Sequence, residues 1–132
     1  MELADVANEE ISDPDIRNRD ATSSRCGYTR HFLATEFGSE VGLVSIDILP
    51  EKEQFVIYEL FVPTALRRRG IGTRLLAAAE MMARDLGYKS TLLVPKTLDK
   101  AFAQQALEEW YAGKGYMPLE NSVNNAFVKQ LA

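Results

Sequence analysis

A mixed α/β (α+β) domain with helices packed on a sheet is predicted from three observations. Three strand-like runs follow one another before any helix, helical periodicity then appears twice, and a short apolar run separates the two helical stretches. Tyr28 to Glu36 and Val41 to Leu49 are rich in β-branched and aromatic residues, and Phe37-Gly38-Ser39-Glu40 links them like a turn. They read as an antiparallel hairpin. Gln54 to Val62 follows Pro50-Glu51-Lys52-Glu53 as a third strand, so the meander is complete before Pro63 ends it. Between Gly72 and Leu86, Leu75, Leu76, Ala79, Met82 and Leu86 recur at three- and four-residue steps, the period of a helix with one buried stripe. Gly87 supplies its left-handed stop. Thr91 to Val94 suits a buried strand, and Asp99 to Ala112 repeats the helical period through Phe102, Ala106, Leu107, Trp110 and Tyr111. Asn121 to Asn125 reads as a turn and Ala126 to Leu131 as a last strand, so the C-terminal half runs strand, helix, strand, helix, strand.

Residues 1–25 are polar and acidic, with Asp13-Pro14-Asp15 as a turn signal, and are expected to form an arm or one short helix outside a domain of residues 26–132. The 132 residues are enough for one core. A net charge of -4 argues against a nucleic-acid binder, which would concentrate Lys and Arg on one face. A basic or neutral small substrate fits better. The single cysteine, Cys26, and the single histidine, His31, exclude an intramolecular disulfide framework and Cys- or His-rich metal clusters, and no metal is expected. No apolar run approaches the ~18 residues of a membrane span, and the acidic start lacks the features of a signal peptide. A cytoplasmic protein without membrane partners is the expectation.

The most informative stretch runs from Tyr58 to Leu76, a strand feeding a glycine-bearing loop that opens into a helix. The first turn of a helix offers unpaired N–H groups and a positive dipole end, so a phosphate there gains charge-assisted hydrogen bonds. Gly70 and Gly72 let the backbone approach closely, and Arg67, Arg68 and Arg69 add attraction. Without an anion, positive charge at a helix start is unfavourable. Spacing separates the candidate motifs. The Walker loop requires Gly-Lys-Ser or Gly-Lys-Thr, which is absent from the chain, and the dinucleotide fingerprint requires a third small residue where Leu75 stands. What remains is Arg-x-x-Gly-x-Gly, carried by Arg67, Gly70 and Gly72.

That pattern resembles the pyrophosphate loop of the GNAT superfamily of N-acetyltransferases. The resemblance covers about Tyr28 to Leu131 and has a second string, Trp110-Tyr111-Ala112-Gly113-Lys114-Gly115-Tyr116, in the expected order and at a similar separation. It implies a GNAT-like mixed sheet and an acetyl-CoA-dependent transfer of an acetyl group to a primary amine by direct attack on the thioester. Leu60, Phe61 and Val62 would then pair through their backbones with the pantetheine arm, and Arg67, Arg68, Arg69, Gly70, Ile71, Gly72 and Thr73 would hold the pyrophosphate. The plainer reading of Leu60 to Val62 is core strand, and that of the arginines a solvated charge cluster. N–H donors near Leu60 to Val62 would stabilise the tetrahedral intermediate. Gln104 stands where the family often has a cofactor-contacting Asn, and Pro95 to Ala103 is longer than usual.

The resemblance gives Tyr111 the acid role: its phenol would protonate the leaving thiolate. The plainer reading is an aromatic on a buried helix stripe. For the base, Glu59 is the first choice. Strict alternation sets it among Phe55, Ile57 and Phe61, where apolar burial would raise its pKa; the alternative is a carboxylate at a bulge or paired with an arginine. Asp47 and Asp99 follow, and His31 reads more readily as a strand histidine. The acidic balance favours a cationic acceptor, a small molecule such as a polyamine or aminoglycoside, or a lysine side chain. Because so few residues precede the hairpin, the acceptor site is either unusually open or completed by a second subunit in a homodimer. A non-catalytic coenzyme A-binding sensor and a protein-interaction domain are the readings from other classes.

Overall fold

Sheet order and register follow from the strand runs, and a computed structural model describes residues 1–23, 25–96 and 103–131. Strands β1 (Glu2–Ala4), β2 (Thr29–Glu36), β3 (Ser39–Leu49), β4 (Gln54–Phe61), β5 (Ser90–Leu93), β6 (Met117–Pro118) and β7 (Phe127–Gln130) form one seven-stranded sheet in the order β1-β2-β3-β4-β5-β7-β6. All neighbours pair antiparallel except β4 and β5, which run parallel. The helices are α1 (Pro14–Thr22), α2 (Ile71–Asp85) and α3 (Gln104–Gly113). The meander, both C-terminal helices and the last strand agree with the sequence reading to within a few residues. The expected start of α3, with Asp99 and Phe102, lies outside the described residues.

Residues 1–25 carry more than one short helix. β1 pairs with β2 at the sheet edge, from Glu2 opposite Thr35 to Ala4 opposite Leu33. α1 begins where Asp13 caps it, its carboxylate accepting from the Asp15 and Ile16 N–H groups at 2.9 Å, with Pro14 in the first turn. Glu40 on β3 fixes that start by accepting from the Ser12 and Asp13 N–H groups.

Each face of the sheet has its own apolar cluster. Phe32, Val44, Ile46, Phe55, Ile57 and Leu93 pack against Leu75, Leu76, Ala79 and Ala83 of α2 and Tyr111 of α3. On the opposite face, Leu33 and Leu43 pack with Ile11 and Ile16, flanked by Val6 and Phe61. A buried polar bridge ties the first side together: the Tyr116 hydroxyl donates to Glu80 of α2 at 2.8 Å and meets Thr91 of β5 at 2.6 Å, while Lys129 of β7 pairs with Glu80 at 3.1 Å. This bridge sets the end of α3 against α2.

Candidate active site

The parallel pairing of β4 with β5 consists of Val56 opposite Leu92 and Ile57 opposite Leu93, and goes no further. Beyond it, Glu59 to Phe61 pair only with β3, leaving one backbone edge of β4 open among the described residues at the C-terminal ends of two parallel strands. That is where α/β sheets bind ligands. From this opening the chain passes Pro63 and a 3-10 turn, Thr64–Leu66, and enters α2.

Gly70 is the N-cap of α2 at φ 76°, a left-handed position, and no side chain among the described residues caps the helix. The first helical bond at this end runs from the Arg74 N–H to the Gly70 carbonyl, so the Ile71, Gly72 and Thr73 N–H groups lie free of the helix ladder. Arg68 is left-handed as well, at φ 65°. Arg67 turns back so that Nε donates to the Val62 carbonyl at 3.1 Å, joining the loop to the end of β4. Arg74 is engaged elsewhere: it forms a two-bond pair with Glu36 at 2.7 and 2.9 Å and donates to the Arg69 carbonyl at 3.2 Å. Among the described residues, a Cβ on Gly72 would meet only the Trp110 ring, at 4.0 Å. The fold therefore does not need glycine there, and the space it leaves lies at the uncapped helix end. These features fit a pyrophosphate.

α3 flanks this end. Gln104 opens the helix and donates through Nε2 to the Pro95 carbonyl at 2.8 Å and to Glu108 at 2.9 Å, tying α3 to the segment after β5. Trp110 and Tyr111 make an edge-on contact with ring centroids 5.0 Å apart, and Tyr111 makes another with Tyr116 at 5.8 Å. Tyr111 is 9% exposed and its hydroxyl has no hydrogen-bond partner among the described residues. Burial pushes its phenol up to about 12, so it stays a proton donor throughout the neutral range.

Glu59 lies in surroundings that strict alternation did not anticipate. A bulge at Tyr58 puts Ile57 opposite Ile46 and Glu59 opposite Ser45, so the strand changes parity between them. Phe55 and Ile57 face α2, whereas Glu59 shares the α1 face with Phe61. There the carboxylate is 8% exposed and meets the Arg19 guanidinium through both oxygens, with the Ser23 hydroxyl at 3.4 Å. Glu59 in turn raises the Arg19 pKa above its usual range. The apolar cage expected around Glu59 is thus replaced by the alternative reading, a carboxylate beside a bulge paired with an arginine.

Beside this pair is a second polar group that sequence reading did not assemble. His31 Nδ1 lies 2.9 Å from Asp20, and Arg25 pairs with the same carboxylate oxygen at 2.6 Å. Burial works against the Asp20 charge, but hydrogen bonds from Asn8 and His31 and the Arg25 charge outweigh it, leaving Asp20 below the usual carboxylate range. Asp47 is remote from both groups in contact terms, accepting from Thr29 at 2.5 Å. Gly42 was also missed. A Cβ there would lie 2.6 Å from the Phe61 carbonyl oxygen, so this glycine admits the end of β4. Glycine inside a strand is the sequence signal for such an approach. Among the described residues no group of His, Cys, Asp and Glu side chains could hold a metal ion.

The profile of the family described as Acetyltransferase (GNAT) domain matches residues 27–118. Solved structures agree with that match in fold. An IAA acetyltransferase from Bacillus cereus is 18% identical at a TM-score of 0.61, covering 98% of this chain and 99% of that one. A GNAT family acetyltransferase from Elizabethkingia anophelis with acetyl-CoA bound is 14% identical at 0.61, covering 90% and 84%. The PaiA N-acetyltransferase from Thermoplasma acidophilum in complex with coenzyme A is 14% identical at 0.60, covering 89% and 68%. Among curated proteins compared by sequence, none matches. The chain belongs to the GNAT acetyltransferase family, acyltransferases that use acetyl-CoA as acetyl donor. No helix among the described residues is long and apolar enough to cross a membrane.

Proposed function

We propose that the chain transfers the acetyl group of acetyl-CoA to a primary amine by direct attack of the amine on the thioester, in the cytoplasm. One observation carries the reading: an uncapped, glycine-flanked α2 N-terminus lies next to a β4 edge that has lost its β5 partner. The free N–H groups of Ile71, Gly72 and Thr73, with Gly70 and the Arg67, Arg68 and Arg69 side chains, take the pyrophosphate. The open backbone of Leu60, Phe61 and Val62 takes the pantetheine amides as an added strand would. Gln104 borders the same cleft through its bond to Pro95.

Acetyl-CoA supplies the activated acyl carbon. Donor N–H groups at the end of β4 favour negative charge developing on its carbonyl oxygen. The Tyr111 hydroxyl, kept protonated by burial, gives its proton to the leaving thiolate. Glu59, the buried carboxylate beside the β4 bulge, takes a proton from the incoming amine. A net charge of -4 favours a cationic acceptor: a polyamine, an aminoglycoside or a lysine side chain.

Calorimetric titration with coenzyme A and a free-thiol assay with acetyl-CoA test this, with spermidine, kanamycin and a lysine peptide as acceptors. Coenzyme A binds, and at least one amine releases thiol. Tyr111→Phe and Glu59→Gln keep that binding and lower kcat by about 100-fold. Binding without thiol release from any amine would leave a coenzyme A sensor, and no binding at all would remove both readings.

A further inference from the structure

His31 on β2, Ser45 on β3 and Glu59 on β4 stand directly opposite one another across three strands. All are buried, at 5%, 1% and 8% exposure. With strands ~4.8 Å apart, the row reaches about 10 Å inward from the open strand β4, beneath α1. Two of its polar atoms, His31 Nε2 and Ser45 Oγ, have no hydrogen-bond partner among the described residues. Buried polar atoms are satisfied in the great majority of cases, by protein or by ordered water. Strand pairing puts these two orphans on neighbouring residues, where ordered water is the remaining way to satisfy them.

The other nitrogen is held firmly. Nδ1 lies 2.9 Å from Asp20 Oδ1 and 2.8 Å from Arg25 Nη2, which is itself 2.6 Å from that oxygen. The second Asp20 oxygen accepts from Asn8 at 2.9 Å. With the proton on Nδ1, the imidazole and Arg25 both donate to Asp20, and Nε2 keeps a bare lone pair. A carboxylate so placed fixes the tautomer and steadies the imidazolium when it forms.

We propose that Glu59, Ser45 and His31, with ordered water on either side of the Ser45 hydroxyl, form the route by which the acceptor's proton leaves, His31 being its sink. The route rests on the acetyl-transfer reading above. An acceptor arriving as an ammonium gives one proton to Glu59, which passes it by way of water to the Ser45 hydroxyl and by water again to His31 Nε2. The freed nitrogen lone pair forms the C–N bond. The C–S bond breaks with its electron pair on sulfur, the Tyr111 hydroxyl protonates that sulfur, and the second proton shed by the nitrogen restores the phenol. His31 then returns its proton to solvent. The charged groups around His31 are Asp20 and Arg19 on α1, Arg25 just after it and Glu59 across the sheet, two of each sign; Asn8 and Ser45 are neutral.

The chain has one histidine, so a 15N-histidine label reports this imidazole alone. NMR of the free protein at neutral pH is expected to find Nδ1 protonated and Nε2 bare. The acidic limb of kcat, measured by thiol release with spermidine, kanamycin and the lysine peptide, is expected to follow the NMR titration. His31→Gln lowers kcat by about 10-fold or more, flattens that limb and leaves coenzyme A affinity unchanged. Ser45→Ala lowers kcat while the imidazole titrates as before. A proton on Nε2, or a His31→Gln enzyme with the native kcat and limb, overturns the route. Failure to bind coenzyme A overturns the acetyl-transfer reading instead, and the tautomer measurement is made without it.

Discussion

Tyr111 shows how much one side chain's surroundings decide. Its ring is wedged between Trp110 and Tyr116, and burial alone pushes the phenol up to about 12. In the unfolded chain a tyrosine ionises near 10. The folded form therefore holds a proton that the unfolded form sheds, so the associated stability is complete below pH 10 and is lost as pH rises toward 12. Two pK units correspond to about 3 kcal/mol. Urea denaturation across pH 9 to 12 is expected to show this loss in the native protein and a smaller one in Tyr111→Phe. Equal losses would mean that the phenol is not buried in solution. The residue scale is also where the sequence could be read least fully. Spacing singled out Tyr111 and Glu59, but the Arg19 partner of Glu59 lies 40 positions away, and the Asp20–His31 contact joins a helix to a strand 11 positions on. Neither pair has a local pattern to reveal it.

At the scale of elements, periodicity predicts a strand well until a bulge shifts it. The alternation through Phe55 and Ile57 is real, yet the extra residue at Tyr58 moves Glu59 to the other face and redirects the argument about its environment. β1 and β6 are three and two residues long, too short for a period to register, and only their pairing with β2 and β7 reveals them. The start of α2 was legible because glycine spacing and helix periodicity meet there. Its two nearby glycines should part company under substitution. In Gly72→Ala the new Cβ meets only Trp110 at 4.0 Å, and alanine stabilises a helix by about 0.5–1 kcal/mol. The melting temperature should hold or rise while coenzyme A affinity falls about tenfold for each charge-assisted N–H contact displaced. Unchanged affinity would remove this helix end from the binding site. Gly42→Ala should do the reverse in origin: its Cβ falls 2.6 Å from the Phe61 carbonyl oxygen, so the end of β4 must move. A melting temperature lower by several degrees, with weaker coenzyme A binding, is expected; native stability would show that β4 yields without cost.

On the scale of the whole molecule, the sheet carries two cores, and residues 1–25 supply one wall of the second. Ile11 and Ile16 are 1% and 0% exposed and cover Leu33 and Leu43, which are 7% and 1% exposed. Removing the segment uncovers both strand leucines, each worth about 1.5–3 kcal/mol when buried. It also removes Arg19 and leaves Glu59 without its cation, a loss of about 3–5 kcal/mol for a buried pair, less here because Arg19 is 31% exposed on its side chain. Together these approach the ~5–15 kcal/mol that holds a typical domain folded. Composition alone pointed the other way, because the segment is polar on average and its two decisive isoleucines lie among Asp, Glu, Asn and Arg. The chain starting at Cys26 is therefore expected to lose cooperative urea unfolding and to bind a hydrophobic dye such as ANS. Coenzyme A should not restore it, because its site on α2 lies across the sheet from the exposed face. Ile16→Ala, a milder change worth about 2–5 kcal/mol, should lower the melting temperature while preserving coenzyme A binding below it. If the shortened chain instead unfolds cooperatively with native stability, residues 26–132 form the autonomous unit and the α1 face is a dispensable cover; the Glu59 row would then lie open to solvent, and its pH dependence should change with the truncation.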